Sequence, residues 1–386
     1  MRYKLSDVVD QISERENNPS SSQYEKFVGL EHYVSGDVVI KNFGSTEKLD
    51  SAMKVFHSGD ILVARRNVYL RRAGVTFFDG LTSGDSIVLR PKEEVIGRLL
   101  PFVLNTDDFW DFADQHSDGT MSKRLSPKVL MQYEFDLPEE QEQEKLATLL
   151  WSAADTKTKY EELYEQTDEL VKAKFLEMFG DPMDNSKSWP VCKVQDVMRG
   201  KVSNGFFAKP ADYSDSGNAA IICVGDVVNR KYSKTEGLRR ANASDKDFEK
   251  FKVEYGDALF CRSSLVKEGI GKTSIVPKDV SEDVLFECHV IRVPLNVDQI
   301  IPEFFQAFSV TDYFRNQMIN RSKTATMTTI GQKDIITADI YLPPIEEQRK
   351  FVHFAEQSDR AQQQLLLAIE DVQALIRAII QQDFKE

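Results

Sequence analysis

The stretch Leu342-Pro343-Pro344-Ile345-Glu346-Glu347-Gln348 begins a run in which apolar residues stand alternately three and four apart, as far as Phe384. A second run of this kind starts at Leu137-Pro138 and ends at Phe179, and adding 205 to its apolar positions gives those of the later run. Because this spacing is typical of a coiled-coil seam, we predict two long helices related by duplication. The predicted seam positions are Leu146, Leu149, Tyr160, Leu163 and Leu170 in the first helix and Phe351, Phe354, Leu365, Val372, Leu375 and Ile379 in the second.

The length of the linker after the first helix determines how the two helices run. A helix of about forty residues is roughly 60 Å long, whereas the linker Asp181–Pro190 spans at most about 35 Å. The second globular part must therefore begin near the far end of the first helix. Since two moderately apolar seams most simply bury each other, the second helix has to run back. We predict an antiparallel coiled coil with one globular domain at each end.

The chain outside these helices also repeats, since Gly59–Arg65 matches Gly256–Arg262. Short β-branched and aromatic runs bounded by Gly, Asp and Ser predict strands, and Leu99–His116 and Pro302–Asn320 have helical spacing. The expected fold class is α+β, with two mixed α/β domains separated by an antiparallel two-helix coiled coil. The predicted boundaries are residues 1–137 for the first domain, 138–180 for the first helix, 181–342 for the second domain and 343–386 for the second helix.

The net charge of −13 is unevenly distributed along the chain. Residues 138–180 and 343–386, the two predicted helices, carry −6 and −3, whereas residues 1–137 carry −4 and residues 181–342 are neutral. Binding of an anionic partner depends on the local potential and not on the total. A basic surface on either globular domain is therefore compatible with the acidic composition.

Cysteine usage and hydropathy indicate the compartment. The four cysteines are widely spaced and form no Cys-x-x-Cys pair, which favours reduced thiols over a disulfide or metal framework. No apolar run has the length of a membrane span, and residues 1–17 lack the apolar segment of a signal peptide. We therefore expect a cytoplasmic protein without membrane contact.

Several motifs occur together with the duplication. They are the Gly-Asp strand that ends in Arg, the helix start Leu342–Gln348, and the run Phe175-Leu176-Glu177-Met178-Phe179-Gly180-Asp181-Pro182 before Trp189-Pro190. In this combination they resemble the specificity (S) subunit of type I restriction-modification systems. The resemblance covers the whole chain, and the helix starts are its most specific part.

This resemblance implies a division of labour. Each globular domain would be a target-recognition domain that reads one half of a bipartite, asymmetric sequence in double-stranded DNA, and the coiled coil would be a ruler for the gap. Two methyltransferase (M) subunits would dock around the coil and methylate adenine with S-adenosylmethionine, and a separate restriction (R) motor subunit would cut DNA. The chain itself would be noncatalytic and would bind no cofactor.

The residues that touch DNA are expected on polar loops, because reading bases needs Arg, Lys, Asn or Gln at the groove and further basic or hydroxyl groups at phosphates. Two places in each domain fit: the loop after the Gly-Asp strand and the polar run before the long helix. Solvated surface charge and ordinary linker are the alternative interpretations. The candidates are Arg65, Arg66, Asn67, Arg71, Arg72, Lys123 and Arg124, with Ser117, Thr120 and Ser122 beside them, and Arg262, Ser263, Ser264, Lys267, Lys272, Arg321, Lys323 and Thr324.

For two further features we favour an interpretation other than DNA contact. Phe206 and Phe207 offer an aromatic wedge for DNA, although packing in the core is expected for both rings. Arg239 and Arg240 form an isolated pair that we expect on the surface.

A catalytic constellation is missing from the sequence. There is no Gly-rich phosphate loop and no Asn-Pro-Pro-aromatic run of the kind that holds a flipped base. The histidines His32, His57, His116, His289 and His353 are scattered, and no two have metal-ligand spacing. We expect neither a catalytic residue nor a metal site.

Two hypotheses of function follow. The chain is a noncatalytic DNA specificity subunit, or it is a coiled-coil scaffold whose two end domains bind proteins. Basic faces and salt-dependent DNA binding favour the first, and a large exposed apolar patch favours the second.

Overall fold

The computed structural model describes residues 1–119 and 122–384 of the chain. These residues form two compact units. The first comprises Met1–Tyr164 together with the chain from Gln364 onward, and the second comprises Glu165–Gln363. Each unit therefore contains one globular part and a segment of both long helices, which are Glu140–Phe179 and Ile345–Asp383.

The first unit is built on a four-stranded antiparallel sheet that is buried on both faces. Alternate residues of a strand point to opposite faces. Accordingly, Ile61 and Val63 join a core formed with the helices, whereas Leu62 and Ala64 join a second core with a five-stranded sheet. The four-stranded sheet has the order Val9–Ile12, Ser86–Pro91, Ile61–Ala64 and Ala73–Val75, and the other has the order Arg15–Glu16, Met53–Phe56, Gly80–Thr82, Lys26–Val28 and Gly44–Ser45.

The remaining elements of this globular part are short. Two strand pairs, Arg2–Lys4 with Glu134–Asp136 and Ser117–Asp118 with Arg124–Leu125, lie outside the two sheets. The helices are Leu5–Val8, Glu94–Val103, Asp107–Gln115 and Pro127–Leu130.

The second unit repeats this plan. Its four-stranded sheet has the order Ser203–Asn204, Val290–Pro294, Asp257–Cys261 and Thr273–Ile275. Two three-stranded sheets have the orders Arg239–Ala241, Ala219–Ile222, Val284–Phe286 and Ser263–Ser264, Thr328–Thr329, Lys323–Thr324. Val191–Lys193 pairs with Asp339–Tyr341, and the helices are Asp245–Phe251, Pro302–Ser309, Asp312–Arg321 and Gln332–Ile336.

Equivalent pairings support the internal duplication. In both units the first strand pairs with the strand that directly precedes a long helix: Arg2–Lys4 with Glu134–Asp136, and Val191–Lys193 with Asp339–Tyr341. The mixed architecture confirms the predicted α+β fold class.

The helix predicted over Leu99–His116 is two helices, Glu94–Val103 and Asp107–Gln115. The chain breaks because the side chain of Thr106 caps the second helix, its Oγ1 accepting a hydrogen bond from Phe109 N–H at 3.2 Å. The region predicted over Pro302–Asn320 is divided in the same way, into Pro302–Ser309 and Asp312–Arg321.

The two long helices pack together in each unit. In the first unit, the start of one and the end of the other share a buried core, whose members are Leu146, Ala147, Leu150 and Ala154 with Ile379, Ile380 and Phe384. In the second unit, the rings of Phe175 and Phe179, late in the first helix, lie 5.4 and 5.6 Å from the ring of Phe351, early in the second. Start meets end in both units, so the predicted antiparallel pairing is confirmed.

The buried face of the helices differs from the predicted seam at four positions. Leu146, Phe351 and Ile379 are buried, and Tyr160, Phe354, Leu365 and Val372 are half-buried. In contrast, Leu149, Leu163, Leu170 and Leu375 remain 51, 47, 54 and 51% exposed. The helices also pack on the globular parts, as Trp151 does by donating from Nε1 to the carbonyl of Arg98 at 2.8 Å. Each long helix packs on a globular part as well as on the other helix. Its buried face therefore differs from the predicted seam, which assumed contact with the other helix alone.

Candidate nucleic-acid interface

The loop after the Gly-Asp strand of the first unit, residues 65–72, is held by buried contacts. Val68 is buried, and Asn67 and Arg71 on either side of the turn Val68–Leu70 have the positive φ values 55° and 49°. Arg72 turns back, and its guanidinium donates to the carbonyls of Leu30 and Arg66 at 3.0 Å each. Arg72 therefore supports the loop backbone.

The polar run before the first long helix lies against this loop. Asn67 N–H donates to the carbonyl of Lys123 at 3.0 Å, and Leu125 N–H donates to the carbonyl of Arg65 at 2.8 Å. Arg66 Nε donates to Ser122 Oγ at 2.9 Å. The structure thus brings the two predicted sets of the first domain together into one surface. Thr120 lies outside the described residues.

Carboxylates accompany the basic side chains of this surface. Asp85 lies between two guanidinium groups, 3.6 Å from Arg66 and 3.5 Å from Arg124. Lys123 is 2.8 Å from Asp114, and Arg71 pairs with Asp107. The basic side chains remain 40–52% exposed, so they are positioned without being withdrawn from solvent. Sequence reasoning missed Asp85, for which the only signal was an acidic residue between Gly84 and a buried strand.

The second unit builds the same kind of surface. Ser263–Ser264, in the loop after the Gly-Asp strand, pairs with Thr328–Thr329, which in turn pairs with Lys323–Thr324. Ile330 N–H donates to the carbonyl of Arg262 at 3.1 Å, the counterpart of the bond from Leu125 to Arg65. The predicted loop and the predicted polar run are joined here as well.

The candidates of the second unit point in different directions. Arg262 donates to the carbonyl of Cys288 at 3.0 Å, and Arg321 donates to the carbonyl of Asp334 at 2.8 Å and to Thr337 Oγ1 at 3.2 Å, so both brace the backbone. Lys272 is half-buried beside Asn229. Lys267 and Lys323 are exposed, and neither makes an ion pair within the described parts of the chain.

The two secondary features have mixed outcomes. Phe206 is buried as expected, but Phe207 is 70% exposed, so its predicted place in the core is wrong. The Arg239 guanidinium lies 4.2 Å from the ring centroid of Tyr213, and Arg240 is 2.7 Å from Asp283. Phe207 follows a buried ring in the sequence, and two adjacent side chains of extended chain point to opposite sides.

Within residues 1–119 and 122–384, no three His, Cys, Asp or Glu side chains form a group that could hold a metal ion, and no helix has the length and apolarity to cross a membrane. The four cysteines are free thiols, and burial raises the pKa of Cys192 and of Cys223 to about 11.

Comparison with known proteins tests the resemblance. No family model matches the chain. The type I restriction enzyme EcoKI specificity subunit of Escherichia coli (strain K12) is 24% identical over 318 residues, which are 77% of this chain and 67% of that protein. This chain is similar in sequence to a type I restriction specificity subunit over most of its length. The EcoBI specificity subunit of Escherichia coli is 26% identical over 145 residues, 36% of this chain and 29% of the EcoBI protein.

Solved structures share the fold of this chain. A chain from a study of complex assembly and conformational transition in the type I restriction-modification system matches with a TM-score of 0.56 and 17% identity, over 100% of this chain and 97% of that one. The type I restriction-modification S subunit from M. genitalium matches with a TM-score of 0.54 and 12% identity, over 98% and 94%. The expectation of a noncatalytic chain agrees with this kinship to specificity subunits.

The helix starts that carried the resemblance have a structural role in this chain. Gln348 is fully buried; it donates to the carbonyl of Pro343 at 2.8 Å and accepts from Ile301 N–H at 2.9 Å. Its counterpart Gln143 is 1% exposed and donates to the carbonyl of Pro138 at 3.1 Å. Each glutamine fastens the beginning of a long helix to the chain that leads into it.

The Gly-Asp motif also has a structural role. Asp60 is buried, accepts from His57 N–H at 2.8 Å and is bound by Arg90 through two hydrogen bonds of 2.7 Å. Asp257 is buried in the same position, where Glu254 N–H donates to it at 3.0 Å. Each aspartate closes the turn before its strand. It thereby fixes where the strand begins, and with it the position of the DNA-binding candidates that follow the strand.

Proposed function

We propose that this chain is the DNA-sequence specificity subunit of a type I restriction-modification system and that each unit reads one half of a bipartite, asymmetric target in double-stranded DNA. The observation that carries the proposal is the repeated surface: in both units the loop after the Gly-Asp strand is joined by backbone hydrogen bonds to the polar run before a long helix. Because the loops differ in sequence, the half-sites should differ.

The proposed reading residues are those of the repeated surface that face solvent. Arg66, Asn67 and Arg71 serve in the first unit, and Lys267 and Lys323 in the second, with phosphate contacts from Lys123, Arg124 and the hydroxyl groups of Ser263, Ser264 and Thr324. Arg72, Arg262 and Arg321 donate to backbone carbonyls and position these groups. The proposed domain boundaries are those predicted from the sequence.

Partners follow from the same proposal. Two methyltransferase subunits dock along the long helices, whose exposed leucines Leu149, Leu163, Leu170 and Leu375 supply apolar area, and restriction subunits join the complex. S-adenosylmethionine binds to the methyltransferase subunits, and the work of this chain is cytoplasmic. Its acidic helices carry no DNA contact, since like charges repel.

The adenine methylation pattern of cellular DNA tests the proposal. It is read in cells that express the methyltransferase partner with and without this gene. We expect a split asymmetric motif that disappears when the gene is removed and that gives the gap length directly. If methylation by an active partner does not change, the chain is not a specificity subunit, and a scaffold that binds proteins becomes the better explanation.

A further inference from the structure

Each unit carries exposed large apolar side chains in the loop after its Gly-Asp strand. Leu265 and Val266 in the second unit are 85 and 61% exposed, and Tyr69 and Leu70 in the first are 67 and 38% exposed. Leu265 is the most exposed large hydrophobic side chain of the described residues. We refer to Tyr69–Leu70 and Leu265–Val266 as the apolar tips.

The apolar tips occupy equivalent places in the two units. Both lie between the Gly-Asp strand and the next strand of the four-stranded sheet, in hairpins whose registers pair Ile61 with Val75 and Ala258 with Ile275. The connecting chain is longer in the second unit, but the apolar residues recur in the connection between the equivalent two strands. A single exposed apolar residue is ordinary on a protein surface, but recurrence at one place in a duplicated fold points to a role other than folding.

The loops that carry the tips are fixed to the body of each unit. The first is anchored by buried Val68 beside Tyr69. In the second, Gly269 and Ile270 are buried behind the tip, Ser263–Ser264 is paired as a strand before it, and Val266 N–H donates to Ser264 Oγ at 3.3 Å. Because the loop is already ordered, binding through its apolar side chains loses little further conformational entropy.

The surroundings of the tips match DNA better than a protein. Lys267, Ser263 and Ser264 flank Leu265, with Glu268 as an acidic neighbour, and Asn67 and Arg71 flank Tyr69. A protein-binding surface usually presents a contiguous apolar patch of several hundred Å². Exposed apolar side chains beside groups suited to phosphates and base edges are the arrangement by which DNA-bending proteins part a base step.

We propose that the apolar tips are wedges that insert between neighbouring base pairs of double-stranded DNA, Tyr69–Leu70 in one half-site and Leu265–Val266 in the other. The groups proposed above for phosphate contact, Lys123 and Arg124 in one unit and Ser263 and Ser264 in the other, hold the backbone on either side of the opened step. The cost of opening a step depends on its sequence, so the wedge adds selectivity at positions that no polar side chain reads. This inference rests on the proposed function.

The test uses the complete methyltransferase complex and duplexes that contain its target. 2-Aminopurine, a fluorescent base whose emission rises when it is unstacked, replaces one base at a time in each half-site, avoiding the adenine that is methylated. We expect emission to rise at one step per half-site. Leu265→Ala should abolish the rise in one half-site only and weaken binding on the order of tenfold, and Tyr69→Ala should do so in the other.

Two control variants separate the wedge from other effects. Val297 is 41% exposed and lies beside Gly256, at the opposite end of the strand that leads to the loop, so Val297→Ala should change nothing. Lys267→Ala should weaken binding while the emission at saturating protein persists. Since Leu265 is so exposed, its replacement should leave the melting temperature unchanged, which excludes unfolding as the cause.

Other results overturn the inference. If Leu265→Ala binds the target as the natural chain does, or loses affinity without any unstacking signal having been present, the tips are not wedges. If it loses the methyltransferase subunits instead, the tip is a protein contact. A natural complex that neither binds nor methylates a split target overturns the proposed function itself, which is a different result from a complex that reads its target without the tips.

Discussion

The carboxylate of Asp257 couples the stability of the second unit to pH. It is fully buried, with Arg199 at 2.8 Å and Arg292 at 4.0 Å. Burial raises its pKa from 3.8 to about 6 despite these guanidinium groups. A raised pKa means that the folded state favours the protonated form, so this contribution to stability is full below about pH 4 and is lost as the pH rises through about 6.

This pH dependence of stability is checked by urea unfolding of the natural chain and of Asp257→Asn between pH 4 and 7. Asparagine does not titrate, and other groups cancel in the difference between the two proteins. We expect the free energy of unfolding of the natural chain, relative to the variant, to fall by about 2–3 kcal/mol as the pH rises. A relative stability that grows with pH would show that the two arginines outweigh burial.

At the scale of single residues, the sequence predicted where polar side chains cluster but not which way each one points. Arg72 and Arg321 were predicted to bind DNA, yet both donate to backbone carbonyls of their own unit. Arg66 and Lys267 stand in the same kinds of run and remain exposed. The direction depends on which carbonyls the fold leaves open nearby, and a sequence pattern does not contain that information.

Among the elements, the helix starts depend on buried glutamines. Gln348→Ala would leave Ile301 N–H and the carbonyls of Pro343 and Gln299 without the partner they have at 2.9, 2.8 and 3.2 Å. Unpaired buried groups cost about 1–3 kcal/mol each, so we expect a destabilisation on the order of 2–4 kcal/mol in chemical unfolding. Gln363→Ala, at an exposed position of the same helix, is the matched control. Similar losses in both variants would contradict the role of Gln348.

The long helices show what periodicity predicts and where it stops. Periodicity and the short linker gave the existence of both helices, the end of the first at Phe179 and the antiparallel pairing. Periodicity gave the wrong face at Leu149, Leu163, Leu170 and Leu375. In the first unit the buried face contains Ala147 and Ala154, where a globular part packs closely against the helix. Because alanine adds little to an apolar pattern, periodicity did not reveal this face.

For the molecule as a whole, the duplication was the most predictable feature, because two copies in one sequence can be compared with each other. The strand pairings next to the long helices recur from unit to unit, from Arg2–Lys4 with Glu134–Asp136 to Val191–Lys193 with Asp339–Tyr341. The exposed tips were not predictable, since an apolar residue in a sequence is expected in the core.

The proposed role of the long helices as a ruler gives the last prediction. Seven residues inserted in register into both helices, near Tyr164 and Gln364 where the compact units divide, lengthen each by about 10 Å and keep the apolar repeat. Since a DNA turn rises about 34 Å, the gap between the half-sites in the methylated sequence should grow by about three base pairs, with both half-sites unchanged. Insertion into one helix only, the control, should disturb the pairing and abolish methylation. An unchanged gap with both insertions present would show that the helices do not set it.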